Sequence, residues 1–144
     1  MKRHVLILCL ILGALIAAAA AGAGDFDGSR PLLISVSRVI ECTPDGDCRE
    51  VSLASTDLPQ FLKVDFANKT VRSARAEAER PGTAIERQET VDGKLILQGA
   101  EDGYEKMRDG LGWTIAVSQE TGRVVLTASG EEVAFVVFGA ALPL

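Results

Sequence analysis

Histidine is almost missing from this chain of 144 residues: the single one, His4, lies within its first few positions. If that segment is lost on export, no imidazole remains. Ser-His-Asp and Cys-His nucleophile systems, a His-Glu-x-x-His zinc site and histidine acid/base shuttling are then excluded. No Gly-x-x-x-x-Gly-Lys-Ser/Thr phosphate loop occurs, and no dinucleotide fingerprint follows a strand-like run. Basic charge is scarce as well. Beyond residue 23 the chain holds 13 basic against 20 acidic side chains, a net −7, whereas a nucleic-acid partner demands a basic surface. No nucleic-acid partner, metal or other cofactor is expected. The chemistry left is a pair of carboxylates, as in glycosidases, or a Ser-Lys arrangement. Glu101, Asp102, Glu105 and Asp109 supply acids, but exposed acids are ordinary on an exported domain. A non-catalytic protein is the expectation, with a carboxylate-dependent hydrolase as an alternative.

The chain opens on Lys2-Arg3-His4, followed by a continuous apolar run over residues 5–21 and a small-residue stretch. That is the layout of a signal peptide. Ala21-Gly22-Ala23 fits the small-x-small cleavage rule, so residues 1–23 are expected to form a leader helix cut after Ala23, with 19–21 as the second choice. A retained anchor is the competing reading, but an alanine-rich run of this length is marginal for ~30 Å of hydrocarbon. Cys9 goes with the leader, since Leu8 is too large for a lipoprotein site. The remaining 121 residues suit one domain. They divide into a flexible lead-in, 24–31, and a β domain, 32–144, that is periplasmic or secreted and off the membrane once the leader is gone.

Two cysteines remain, Cys42 and Cys48, separated by Thr43-Pro44-Asp45-Gly46-Asp47, turn residues between two strand-like runs. A structural disulfide across a hairpin follows, consistent with an oxidising compartment. A catalytic dithiol is the competing reading, but redox pairs sit closer, as in Cys-x-x-Cys, and no strand-to-helix context is visible. Asp45-Gly46-Asp47 lacks the spaced acids and distal Glu of a calcium loop.

Elsewhere the pattern has a period of two. Trp113, Ile115 and Val117 alternate with Thr114, Ala116 and Ser118; Val124, Leu126 and Ala128 alternate with Arg123, Val125 and Thr127. Each set faces one side of a pleated sheet. Gln119-Glu120-Thr121-Gly122 and Ser129-Gly130-Glu131 reverse the chain between them. Residues 134–138, apolar on both faces, read as the most buried strand, and with Trp113, Ile115, Val117, Val124 and Leu126 they give the expected core: Phe135, Val137 and Phe138. Upstream, residues 32–40 form a strand with Leu32, Ile34, Val36, Arg38 and Ile40 on the inward side, Arg38 being the one doubtful member. Residues 49–54, 61–66 and 70–74 follow as strands. Residues 84–90 and 94–98 make a hairpin through Asp92-Gly93, the dipeptide of a type I′ turn, with Ile85, Leu95 and Leu97 inward. The stretch 72–80, RSARAEAER, favours helix by propensity but is read as a strand end followed by loop. The sum is eight or nine short strands in one antiparallel meander, an all-β barrel or sandwich.

The longest connection, residues 99–112, carries four glycines and many charges. Long loops often carry function. Tyr104, Met107 and Trp113 could form one wall of a binding site for an unknown protein or a small apolar ligand; the bland alternative is that Tyr104 and Met107 cap the sheet's end and shield Trp113. An oligomer is compatible with a last strand apolar on both faces.

Trp113-Thr114-Ile115-Ala116-Val117 leading into Thr121-Gly122, the closing Phe135-Val136-Val137-Phe138-Gly139-Ala140, the leader and the cystine loop together resemble a group of small exported proteins of Gram-negative bacteria with no assigned function. In that pattern Phe-Gly-Ala is often followed by Cys; here Ala141 stands there, so a disulfide resting on that position does not transfer. Size and architecture also resemble periplasmic lysozyme inhibitors, small cystine-bearing barrels, an analogy of fold and compartment alone. An interaction module is the first expectation and an inhibitor of a cell-wall hydrolase the second.

Overall fold

The computed structural model describes residues 24–56, 58–75, 82–103 and 109–144; the expected leader, with its cleavage site, lies outside them. Ten strands form: β1 (Leu32–Cys42), β2 (Cys48–Val51), β3 (Phe61–Asp65), β4 (Thr70–Ser73), β5 (Thr83–Ala84), β6 (Arg87–Val91), β7 (Lys94–Glu101), β8 (Leu111–Ser118), β9 (Arg123–Ser129) and β10 (Ala134–Pro143). A short 3-10 turn spans Leu53–Ser55. The all-β expectation holds, as one antiparallel sheet curled into a half-barrel.

Nine strands follow in the order β5-β4-β3-β1-β10-β9-β8-β7-β6, and β2 pairs with β1 beside that path. The two ends of the path, β5 and β6, are halves of one chain segment. Within it the Ile85 N–H donates to the Lys69 carbonyl at 2.8 Å on the β4 side, and the Glu86 N–H donates to the Gln98 carbonyl at 2.9 Å on the β7 side. One covalent segment thereby touches both ends of the path. The pairing of β1 with β10 along their whole lengths joins the first strand to the last.

Alternation decides what goes inside. Trp113, Ile115 and Val117 on β8, Leu95 and Leu97 on β7, and Val124 and Leu126 on β9 are buried, as is Ile85. In register, Leu97 faces Ile115 and Ile115 faces Leu126, so one layer of large side chains crosses three strands. Each such side chain contributes roughly 1.5–3 kcal/mol through burial. The Asp92-Gly93 turn has positive φ at both residues, 48° and 70°, the geometry that matches strand twist in a two-residue hairpin.

Two expectations are corrected. On β1 the inward set is Leu32, Ile34, Val36 and then Val39, not Arg38 and Ile40. The register against β10 slips between Val36 and Arg38. Ser37 is the extra residue of a β-bulge, which switches every later side chain to the other face. The bulge is clamped: Ser37 Oγ donates to the Phe138 carbonyl at 3.0 Å, and Gln60 Nε2 donates to the Val36 carbonyl at 2.8 Å. Apolar composition did not reveal it because Ile40 and Val39 look alike. The second correction concerns β10. It is not the most buried strand: Val137 and Ala141 are buried, but Phe138 is 40% exposed. Nothing among the described residues packs over its outer face, so apolar character on both sides gave burial on only one.

The strands run up and down, which sorts the connections onto two ends. At one end, here called the foot, lie residues 66–69, 92–93 and 119–122 with both termini of the domain. The opposite end carries, of the described residues, 43–47, 74–75, 82, 102–103, 109–110 and 130–133. Phe26, from the segment read as a lead-in, packs against the core at the foot. Gly122 there has φ 67°, and a Cβ added to it would sit 2.6 Å from the Phe26 ring. Glycine is required twice over, for the left-handed turn and for the ring.

Candidate functional site

The loop end is where the expected site residues lie. Trp113 enters from β8 opposite Gly99 on β7, and its indole lies over that glycine: a Cβ on Gly99 would come within 2.8 Å of Trp113 Cε2. The indole Nε1–H donates to Thr83 Oγ1 at 3.1 Å, and Thr83 Oγ1 donates to the Ala100 carbonyl at 2.7 Å. This short relay ties β5 to β7 and β8 where the sheet turns back on itself. Trp113 is 8% exposed, so its aromatic surface lines the inside of the loop end and its one donor is satisfied within the chain. Tyr104 and Met107, the other two residues of the expected wall, lie outside the described residues.

In register across the sheet, Trp113 is followed by Ala128, Phe135, Glu41 and Arg49. Phe135 and Ala128 pack against the core with Leu53 and Leu58, which come from the connection between β2 and β3. Glu41 receives the Arg49 guanidinium at 3.1 Å. The expected cystine is formed: Cys42 and Cys48 are directly opposed, with Cα atoms 4.1 Å apart. That is the close spacing of a pair flanked, rather than bridged, by ladder hydrogen bonds, and the next pair outward supplies one, Thr43 N–H to the Asp47 carbonyl at 3.0 Å.

Among the described residues acids outnumber bases at this end: Asp45, Asp47, Asp102, Asp109, Glu131 and Glu132 are exposed there, with Arg49 and Arg75 beside them. Among the described residues no cluster of ligand-type side chains could hold a metal ion. The carboxyls that are tuned lie at the foot instead. Hydrogen bonds from Asn68 hold Asp65 below its ordinary value, and hydrogen bonds from Ser29 do the same for Asp27; both sets favour the ionised form.

Two grooves run along the outer face of β8, β9 and β10, the larger reaching down to the foot. One of about 600 Å³ is floored by Ala116 and bordered by Lys94, Asp92, Glu120 and Arg123. The other, about 400 Å³, is floored by Ser37, Gly139 and Ala140 between Arg123, Val125 and Phe138. Sequence reasoning missed this surface, because it assigned Phe138 to the core; the signal available was that Val125 already stood on the polar side of its own strand. It also missed Thr83 and Phe26, which carry no motif. No family model matches the chain, and neither curated proteins nor solved structures give a match.

Proposed function

We propose that the chain is an exported, non-catalytic interaction module that engages a protein partner at its loop end. The observation that carries this reading is the filled interior. Leu32, Ile34, Val36, Leu95, Leu97, Ile115 and Val117 are 0–2% exposed, so the concave side of the sheet is occupied by the chain's own side chains. A small apolar ligand would have to displace a packed core, whereas a protein surface needs only the exposed rim. The rim offers acidic connections on a disulfide-pinned, tryptophan-tied frame. Such a pole favours a cationic partner by steering and by complementarity.

Photo-crosslinking in the periplasm tests this. A benzophenone side chain at Asp45 or Glu131 is expected to give a discrete protein adduct, and one at Asn68, at the foot, none. Equal labelling from both ends, or none from either, defeats the proposal. The acidic rim also supports a second reading, inhibition of a cationic cell-wall hydrolase. Purified 24–144 in micromolar excess should then suppress lysozyme turnover, and full residual activity dismisses that reading for the enzyme tried.

A further inference from the structure

We propose that the outer face of β9 and β10 is a two-fold interface between two copies of this chain, centred on Phe138. Val125 and Phe138 are cross-strand neighbours, each 40% exposed. Both strands are paired on both edges, so this surface cannot be covered by adding a strand; only another face can lie on it. The strands whose edges are open, β2 and β6, carry Arg49 and Glu50, and Arg87 and Glu89, the charged protection expected of edges.

Charge identifies the occupant. The domain beyond residue 23 is net −7, so two copies repel on most approaches. The outward positions of β8, β9, β10 and β1 hold no acid, and their charged residues are Arg38 and Arg123. Two copies that meet through this wall bring together the faces that carry the fewest acids. Arg38 is already neutralised by Glu50 at 3.4 Å. The nearest other acids, Asp92 and Glu120, border the larger groove, on the far side of the ridge made by Arg123 and Val125.

Shape is self-complementary as well. Beside the Phe138 knob lies the groove of about 400 Å³ with its floor of Ser37, Gly139 and Ala140, large enough for a phenyl ring. A two-fold axis through the patch places each Phe138 in the other copy's groove. There it lies beside Arg123, which makes no ion pair among the described residues and is free to stack its guanidinium on the ring. Closed isologous pairs of this kind are the commonest oligomers.

Sedimentation velocity on purified 24–144 is the test. A dimer is expected at tens of micromolar. Phe138→Glu should weaken its dissociation constant at least about tenfold, as for a central aromatic anchor, with the far-UV circular dichroism unchanged. Val91→Ser, another exposed apolar residue but on β6, should leave the mass as it was. If Phe138→Glu does not fold, Val125→Lys and Phe138→Cys replace it: the first should give monomer, and the second a disulfide-linked dimer on mild oxidation. A monomer throughout the concentration range, or a dimer that survives Phe138→Glu or Val125→Lys, overturns the proposal.

Discussion

The foot and the loop end of this sheet are built by different means. At the foot the connections span only residues 66–69, 92–93 and 119–122, and the backbone itself does the work: Lys69, Asp92, Gly93 and Gly122 all have positive φ. At the loop end the connections are longer and charged, and side chains hold them. A disulfide closes β1 on β2, and the Trp113 to Thr83 to Ala100 relay closes β8 on β5 and β7. The lesson is that tight turns need no tertiary partner to specify them, whereas an open end of a curled sheet must be fastened by contacts from distant parts of the chain.

The largest effect should come from breaking the loop end's aromatic closure. Gly99→Val would drive a branched side chain into the Trp113 ring, an overpacking cost of roughly 3 kcal/mol. It should appear as a lower urea midpoint with a red-shifted tryptophan emission. Replacing both Cys42 and Cys48 with Ala removes a six-residue crosslink and should cost about 2–2.5 kcal/mol. Reduction of the native protein, followed by the same urea titration, should match it.

At the foot, Phe26→Ala should cost about 1–2 kcal/mol through lost apolar burial without moving the tryptophan emission, because Phe26 and Trp113 sit at opposite ends. An equal red shift in both variants would show that the ends are not independent. The smallest effect is on pH. The folded carboxyl of Asp65 is held below 3.8 by Asn68, so its stabilisation is present above that value and is lost as pH falls through the folded pKa. Asn68→Ala should return the Asp65 titration, followed by carbon NMR, toward 3.8 and flatten the acid-induced loss of stability below it.

How much of this was legible follows the same division. Asp92-Gly93 and Thr121-Gly122 announced the foot's hairpins, and the alternation through Trp113, Ile115 and Val117 announced the inner face of β8. Cys42 and Cys48 announced the cystine through five intervening turn residues. The bulge at Ser37 was not legible, since it is set by the clamp from Gln60 and the mismatch with β10, not by Ser37 itself. Phe138 was misplaced because an apolar strand reads the same whether one or both faces are covered. As for the candidate site, Trp113 was found and its tie to Thr83 was not, because a threonine thirty residues away carries no local mark.

Local chemistry by itself determined the all-β class, most strand positions, the reversing turns and the disulfide, because alternation and turn stereochemistry act over a few residues. Only the tertiary structure decided that the sheet curls back on itself through the single segment 83–91, that Phe26 closes the foot, and that none of the described residues covers the outer side of β10. Those outcomes depend on which strands become neighbours, and neighbours in a sheet are chosen by packing across the whole chain.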